Sequence, residues 1–267
     1  MTIEEWEKIF RNLYQAPNNN TPVSQFSDDD INISKEEVPL ELRSLKNRKA
    51  AGPDNISNEM LKYGGADLAS NLTKLFQNVL IKHAISNDWK ASVTIPVFKA
   101  ANLIQKIIET TLMNSTTKLF TKLILNQLNH LKHISLRENQ QGFRKNRSTT
   151  DAIFIVRQIV EKAIEFNKPA YLCFVDLTKA FDRVRLQDLT NCLRERDVPS
   201  GAIKIIQELN SNNSTIIRTS TEKSKPISIS GIRQGDSLSP MLFNIIMDKI
   251  IDQISKELDT KWEKPLF

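Results

Sequence analysis

The sequence predicts an α/β (α+β) fold in which helices pack against a small antiparallel sheet. Two observations support this prediction. Apolar residues recur at helical spacing through most of the chain, and short apolar or alternating runs between those segments are typical of strands. With 267 residues, of which 40% are hydrophobic, the chain is long enough for one large domain or two small ones.

Residues 1–33 are predicted to form an acidic N-terminal helix followed by a polar linker. The residues that follow the helix are rich in proline, asparagine and aspartate, which is typical of a linker. We therefore expect the main domain to comprise residues 34–267. The helix is predicted from the spacing of four apolar residues, Ile3, Trp6, Phe10 and Leu13.

Four helices are predicted in the first half of the main domain. Ser34 and Glu37 have the spacing of a capping box, so the first of these helices begins there. Apolar periodicity predicts the other three at residues 57–63, at residues 67–85 and from Ser115 onward.

Four more helices are predicted in the second half. Two short helices fit residues 186–196 and 201–210, and Ser239 followed by Pro240 is a favourable N-cap and first-position pair for the last helix. The segment 150–166 is also helical in pattern. Its apolar residues, which we expect to face the core, are Ile153, Val156, Ile159, Val160 and Ile164.

Three segments are predicted to supply the strands. Residues 91–99 alternate in polarity, and Pro96 favours an edge position because proline donates no hydrogen bond to a ladder. The residues on either side of the polar tip 221–225 are predicted to form a β-hairpin. The apolar run 171–175 is predicted to be a buried strand that ends at Asp176, although a turn that happens to carry Asp explains this run equally well.

The charge of the chain is unevenly distributed. Residues 1–40 hold eight acidic and three basic residues, which gives them a net charge of −5. Because the net charge of the whole chain is +6, the remaining residues carry +11. Such a basic region suggests a polyanionic partner such as nucleic acid.

The sequence contains no disulfide framework, zinc pattern or membrane segment. Its two cysteines are isolated from each other and are expected to be free thiols. His130 and His133 lie one turn apart, but no nearby cysteine or carboxylate completes a metal ligand set. A membrane-spanning helix needs about 20 apolar residues, and no such run occurs. We expect a soluble, intracellular protein of the nucleus or cytoplasm.

Two loops, at residues 47–54 and 140–150, combine positive charge with turn-forming residues. Such loops can hold phosphates or follow a nucleic-acid backbone. The first loop, taken alone, is better explained as a solvated turn. The cations are Arg48 and Lys49 in the first loop and Arg144, Lys145 and Arg147 in the second.

Four segments of the chain match a known family in order and spacing. They are Arg48–Asp54, Gln141–Thr149, Phe174–Asp182 and Gly231–Pro240. From about residue 46 to about residue 250 the chain therefore resembles the reverse transcriptases of non-LTR (LINE-type, jockey-like) retrotransposons. The resemblance implies the fingers and an incomplete palm of a right-hand polymerase. It also implies RNA-directed DNA polymerase chemistry with an RNA template, a DNA primer and dNTPs.

The resemblance further implies roles for individual residues. Asp176, together with the backbone carbonyl of Leu177, corresponds to the first ligand of Mg²⁺ in two-metal phosphoryl transfer. Phe181 would exclude a ribose 2′-hydroxyl, and Gln234 and Gly235 would contact the nucleotide. The cations assigned to template or phosphate binding are Arg48, Lys49, Arg144, Lys145 and Arg147.

The chain departs from the family in two places. The family's aromatic-Ala-Asp-Asp turn does not occur between Pro240 and Phe267, and no thumb follows. One carboxylate cannot hold two divalent ions about 3.5–4 Å apart, so we expect this chain to be inactive as a polymerase. Residues 99–109 lack the arginine of the family's Asn-Tyr-Arg pattern.

Two other functions remain open. The chain could be a non-catalytic nucleic-acid-binding remnant or host-adopted interaction protein, which would use the basic loops without chemistry. A group II intron-type maturase is a weaker alternative, because the sequence shows no accompanying maturase domain. The sequence predicts no oligomeric state.

Overall fold

The computed structural model describes residues 2–14, 31–98, 107–131 and 134–261, which form helices around a four-stranded sheet. The α/β class is therefore confirmed. The helices are α1 (Ile3–Tyr14), α2 (Glu37–Ser44), α3 (Asn58–Lys62), α4 (Gly65–Lys82), α5 (Asn87–Lys90), α6 (Ser115–His130), α7 (Thr149–Glu165), α8 (Leu186–Arg194), α9 (Ser200–Asn210) and α10 (Ser239–Lys261). The strands are β1 (Ala91–Phe98), β2 (Ile107–Met113), β3 (Asn213–Ile217) and β4 (Ile227–Ile229).

Local capping places the starts of the early helices close to where they are predicted. The Ser34 amide donates to the Glu37 carboxylate at 2.8 Å, and the Glu37 amide donates to the Ser34 hydroxyl at 3.3 Å. At the start of α3, the Ser57 hydroxyl accepts from the Met60 amide at 3.3 Å. These side chains satisfy amides that have no partner within the first helical turn.

The start of α10 differs from the prediction. Ser239 is the first residue of the helix, and its buried hydroxyl has no hydrogen-bond partner among the described residues. Instead, the Asp236 carboxylate accepts from the Leu238 amide at 3.2 Å. This bond fixes the turn immediately before the helix rather than capping its first turn.

The sheet has the strand order β2-β1-β3-β4. The pairs β1–β2 and β3–β4 are antiparallel, and the second pair is the predicted hairpin. β1 and β3 are parallel, so the sheet is mixed rather than wholly antiparallel as predicted. Parallel neighbours need a long connection, and the chain from β2 to α9 provides it.

β1 lies inside the sheet, which contradicts the edge position suggested by Pro96. The parallel ladder between β1 and β3 covers only Ala91 to Thr94. Pro96 lies beyond that ladder and is paired on one side only, with Glu109 of β2. The proline is tolerated because no strand pairs with the other side of β1 at this position, so no amide donor is needed there.

One large apolar core joins α2, α3, α4, α6, α8, α9 and α10. Three aromatic rings lie within it. Phe120 is 5.3 Å from Phe76 and 5.4 Å from Trp89, measured between ring centroids. Because α5 carries Trp89 and leads directly into β1, this contact connects the helical core to the sheet.

A second, smaller core lies under α1. Trp6 and Phe10 pack on Ile217 and Ile227, so α1 covers the β3–β4 hairpin. The predicted helix is therefore confirmed. Residues 15–30, which contain the predicted linker, lie outside the described residues, and the domain boundary at residue 33 stays a prediction.

The predicted strand before Asp176 is wrong. Residues 168–177 form no strand, and no strand of the described sheet pairs with them. The exposed fractions are 92% for Tyr171, 86% for Phe174 and 78% for Val175. The run is apolar enough for a strand, but it gains neither ladder hydrogen bonds nor burial.

The core face predicted for α7 is also wrong. The helix itself is confirmed, but none of its residues is buried, and Ile153 and Ile164 are 67% and 75% exposed. Helical periodicity identifies an apolar stripe but carries no information on what covers it.

No helix in the described ranges combines the length and apolar character that crossing a bilayer would need. The intracellular location stays a prediction.

Replacing Phe76 with alanine is expected to lower the free energy of unfolding by about 3–5 kcal/mol, because the cavity would open between two other core rings. Leu75→Ala is the matched control on the next position of α4, where the side chain is 43% exposed and the loss should be roughly 1 kcal/mol or less. Urea denaturation followed by circular dichroism measures both. Equal losses would contradict the described core.

Candidate functional site

Gly231 brings the segment before α10 into direct contact with the residues that follow Asp176. Its φ is +78°, and a Cβ atom there would lie 2.3 Å from the Phe181 carbonyl oxygen. The amide of Ile232 donates to the same oxygen at 3.1 Å. Only glycine tolerates both this conformation and this approach. Two of the four motif segments are thus held backbone to backbone.

Gly235 makes a second close approach, this time to the sheet. Its φ is +85°, and a Cβ atom would lie 3.0 Å from the Thr111 carbonyl oxygen of β2. Gln234 and Gly235 are both exposed. The pair predicted to contact a nucleotide therefore lies at the surface where this turn meets β2.

Phe181 lies between two other aromatic rings. It stacks on Phe243 of α10 with 4.9 Å between ring centroids, and Phe143 meets it edge-on at 6.1 Å. Phe143 is 64% exposed, so one side of this group of rings faces solvent. The position of Phe181 is set by packing on α10 and on the loop that contains Phe143.

Asp182 and Gln234 line a small cavity between the turn and the sheet. The opposite wall carries hydroxyl groups from three neighbouring strands. The Thr94 hydroxyl is 3.4 Å from the Thr111 hydroxyl and 2.8 Å from the Thr215 hydroxyl. The interior behind the exposed pair therefore combines hydrogen-bonded hydroxyl groups with apolar side chains such as Met113 and Ile232.

A buried ion pair shapes the turn between Gly231 and α10. The Arg233 guanidinium donates to the Asp236 carboxylate at 2.7 Å and to the Trp89 carbonyl at 2.9 Å. The Arg233 amide donates to the Asn210 side chain at 3.2 Å. The turn is thereby attached to α5 and α9.

The loop that carries Arg48 and Lys49 is attached to the junction of β2 and α6. A Cβ atom on Gly52 would lie 2.5 Å from the backbone nitrogen of Asn114. The Asp54 amide donates to the Asn114 side chain at 3.3 Å. Arg48 and Lys49 are exposed on this anchored loop.

The second basic loop is attached to α10 through Asn244. The Asn244 side-chain amide donates to the Gly142 carbonyl at 2.9 Å and accepts from the Gln140 side chain at 3.0 Å. Asn244 is 1% exposed, so these bonds also satisfy an otherwise buried amide.

The arginines of the second loop are already paired. Arg147 forms an ion pair with Glu138, and Arg144 approaches the same carboxylate at 3.5 Å. The hydrogen bond from Arg147, with the charges of both arginines, holds the pKa of Glu138 below its ordinary value. Lys145 forms no ion pair within the described ranges. Of the three predicted cations, only Lys145 is unpaired.

Asp176 lies outside the packed arrangement of the Gly231–Asp236 turn, Phe181 and β2. It lies on the exposed run 168–177, whereas Phe181 is packed five residues later. The described part of the chain contains no group of three or more His, Cys, Asp or Glu side chains that could hold a metal ion. Because a two-ion centre needs several carboxylates, these residues do not fit one. His133 and residues 99–106 lie outside the described residues.

Sequence reasoning missed three buried polar residues that connect the motif segments: Asn114, Arg233 and Asn244. A usable signal existed for Asn244, which is the one polar residue in the otherwise apolar run 241–247 at the start of α10. A polar residue at a core position must find hydrogen-bond partners. Its presence there indicates a contact, although not the identity of the partner.

The comparisons with known proteins agree with the family resemblance that the four motif segments predict. The sequence model described as reverse transcriptase (RNA-dependent DNA polymerase) matches residues 106–263. The probable RNA-directed DNA polymerase from transposon BS of Drosophila melanogaster is 24% identical over 80% of this chain and 24% of the relative. The RNA-directed DNA polymerase from mobile element jockey of Drosophila melanogaster is 26% identical, with the same two shares covered.

A third relative belongs to another element. The retrovirus-related Pol polyprotein from type-1 retrotransposable element R2 of Nasonia vitripennis is 24% identical over 83% of this chain and 21% of the relative. The chain thus spans about a quarter of the length of the curated relatives it matches.

Gly231→Ala is expected to lower the free energy of unfolding by at least about 2 kcal/mol, since the new Cβ would meet the Phe181 carbonyl in a left-handed conformation. Gly142→Ala is the control, because the nearest atom to its Cβ would lie 3.6 Å away. Thermal melts of the two variants measure the difference. A Gly231 variant as stable as the Gly142 variant would show that the described contact is absent.

Proposed function

Because this chain belongs to the reverse transcriptase (RNA-dependent DNA polymerase) family, we propose that it binds a dNTP and an RNA template with its DNA primer. The relatives confirm the predicted resemblance to enzymes of non-LTR mobile elements. Within such an enzyme the chain would supply part of the fingers and palm of an RNA-directed DNA polymerase.

The observation that carries the proposal is the contact of the Gly231–Asp236 turn with both Phe181 and β2. Gly235 has no side chain to keep a phosphate from its backbone, and Gln234 offers both a donor and an acceptor. The packed ring of Phe181 is the proposed barrier to a ribose 2′-hydroxyl. The contact of Gly231 with the Phe181 carbonyl, which links Phe181 to this turn, supports their assignment to one site.

The proposed template contacts are the exposed cations of the two anchored loops. Arg48 and Lys49 project from a loop fixed to Asn114, and Lys145 lies on the loop fixed to Asn244. Arg144 and Arg147 would join them by exchanging the Glu138 carboxylate for phosphate oxygens. Cations on fixed loops lose less entropy on binding than cations on free ones.

Mg²⁺ is the proposed ion, with Asp176 and the Leu177 carbonyl as its ligands in this chain. When bound with its full ligand set, Mg²⁺ neutralises charge on the phosphates of the nucleotide. Among the described residues, no group of three or more possible ligands completes that set. We therefore propose binding, and not polymerisation, as the property of this chain by itself.

A gel-shift titration with a labelled RNA–DNA primer–template tests the proposal. Binding should weaken steeply as salt rises, and Arg48→Ala or Lys49→Ala should each reduce the salt slope by about 1. Lys74→Ala is the control, because it removes an exposed cation from α4. Binding that is absent, or equally weakened by the control, would contradict the assignment of the loop.

Primer extension with Mg²⁺ and dNTPs separates binding from chemistry. No extension is expected. Incorporation that disappears in Asp176→Ala would show that this chain polymerises by itself. Nucleic-acid binding without dNTP binding would instead support the alternative function, a non-catalytic nucleic-acid-binding protein.

Glu138→Gln is expected to tighten primer–template binding several-fold at low salt, because Arg144 and Arg147 would lose the carboxylate that now competes with phosphates. Glu161→Gln is the matched control, since it breaks an exposed Arg–Glu pair on α7 with Arg157. Fluorescence anisotropy measures both affinities. Equal effects would indicate a general charge effect and would refute the role of Glu138.

A further inference from the structure

The end of the β3–β4 hairpin, residues 218–226, carries three cations and is called the cationic tip below. Arg218 lies directly opposite Lys223 across the hairpin, and Lys225 follows two residues later. Lys223 and Lys225 are exposed, and Arg218 is half-buried. None of the three forms an ion pair with a described residue. With Glu222 as the one acidic residue among 218–226, three positive charges and one negative charge give the tip a net charge of +2.

Hydrogen bonds fix the backbone of the cationic tip. The Thr219 amide donates to the Glu222 carbonyl at 3.0 Å, and the Glu222 amide donates to the Thr219 hydroxyl at 3.1 Å. The Ser224 amide donates to the Ile217 carbonyl at 2.9 Å, and the Ile217 amide donates to the buried Ser224 hydroxyl at 2.9 Å. The three cations are thus carried by a hydrogen-bonded turn.

Neighbouring elements also hold the tip. The Arg218 amide donates to the Thr94 carbonyl of β1 at 2.9 Å. The Lys225 amide donates to the Glu7 carboxylate of α1 at 2.7 Å. Glu7 therefore binds the backbone of the tip, and its ion pair is with Arg11 of α1 rather than with a cation of the tip.

The pairing of Arg218 with Lys223 does not favour the fold. Side chains directly opposite each other in an antiparallel pair lie on the same face, and like charges in this position are destabilising. No described carboxylate offsets this repulsion by an ion pair with either residue. Such a conflict with local stability is expected where residues serve a function. An anion bound by both side chains would remove the repulsion.

We propose that the cationic tip binds phosphates of a nucleic-acid backbone. This inference rests on the proposed nucleic-acid binding of the chain and adds a contact that lies outside the four motif segments. Phosphates of nucleic acids are bound by Arg, Lys and hydroxyl side chains. The tip combines its cations with three consecutive hydroxyl residues, Thr219, Ser220 and Thr221.

The composition of the tip favours nucleic acid over an acidic protein or a membrane surface. The centres of protein interfaces are rich in aromatic and apolar side chains, whereas Pro226 is the one apolar residue among 218–226. The hairpin residues Ile217 and Ile227 are buried under α1 and are not available to a partner. Anionic lipids are recognised by clusters of about four to eight cations, and the tip has three.

Fluorescence anisotropy with a labelled RNA–DNA primer–template tests the inference on the full chain. The double variant Arg218→Gln/Lys223→Gln should weaken binding roughly 10- to 100-fold at low salt and reduce the salt slope by about 2, one for each lost phosphate contact. The loss should be equal for two unrelated template sequences, because phosphate contacts carry no sequence information. The double variant Arg218→Lys/Lys223→Arg keeps both charges and should retain most of the affinity.

The matched control is Lys74→Gln/Lys82→Gln, which removes two exposed cations from α4 and changes the net charge by the same amount. Its affinity should stay close to that of the wild-type protein. Thermal melts check folding. Glutamines at positions 218 and 223 remove a like-charge repulsion, so the melting temperature of that variant should not fall.

Chemical labelling gives a second measurement that needs no variant. Acetylation of the wild-type protein, quantified by peptide mass spectrometry, should modify Lys223 more slowly when the primer–template is present, with Lys74 unchanged. Polyglutamate at the same concentration of charge should protect Lys223 much less. Equal protection by polyglutamate would assign the tip to acidic partners in general and would overturn the inference. If the glutamine variant misfolds, this labelling result decides.

The outcomes separate this inference from the proposed function. If Arg48→Ala weakens binding but the glutamine variant of the tip binds like the wild-type protein, the inference is overturned and the proposed function stands. An equal loss in the α4 control also overturns it, because the effect would then be one of net charge. If the wild-type protein binds no primer–template, both are overturned. Loss in the glutamine variant, retention in the charge-preserving variant and protection of Lys223 together support the inference.

Discussion

The candidate site depends on one buried ion pair. The side chains of Arg233 and Asp236 are 4% and 2% exposed, and each has a further task. Arg233 attaches the turn to the Trp89 carbonyl, and Asp236 accepts from the Leu238 amide immediately before α10. Removing one partner of such a pair leaves an uncompensated buried charge, which costs about 3–5 kcal/mol. The exposure of Gln234 and Gly235 is a consequence of this internal anchor.

Two of the motif segments meet each other, and two are attached to β2 or its junction with α6, through backbone contacts that three glycines permit. Gly231 contacts Phe181, Gly235 contacts Thr111, and Gly52 contacts Asn114, in each case where a Cβ atom would lie within 3.0 Å of backbone. Segments far apart in sequence are thus joined without long side chains between them. A site built in this way tolerates little movement of its parts, because backbone atoms have no alternative rotamers.

The region around Asp176 contrasts with this packed turn. The isoleucines of α7 and the apolar residues of the run 171–177 remain exposed in the described structure. Full burial of one such side chain is worth about 1.5–3 kcal/mol, and these side chains do not gain that full stabilisation. The carboxylate at Asp176 therefore has no rigid support, whereas Phe181 is fixed by its neighbours. The residues proposed for nucleotide binding and the carboxylate proposed for metal binding therefore lie in differently packed parts of the chain.

Local signals in the sequence were sufficient for most elements. The capping box at Ser34, the helix of Ser115 and the hairpin around 221–225 all follow from residues within a turn or two of one another. The motif segments identified the family for the same reason, because each segment is recognised from a few residues that are close together in sequence.

Tertiary contacts decided the rest. They placed β1 inside the sheet despite Pro96, left the run 171–177 unpaired with any strand of the described sheet, and paired Arg144 and Arg147 with Glu138. None of these outcomes could be read from periodicity, because an apolar stripe or a charge shows what a segment can contact and not which surface lies opposite. That choice is made by the sum of long-range packing, hydrogen bonding and charge neutralisation over the folded chain.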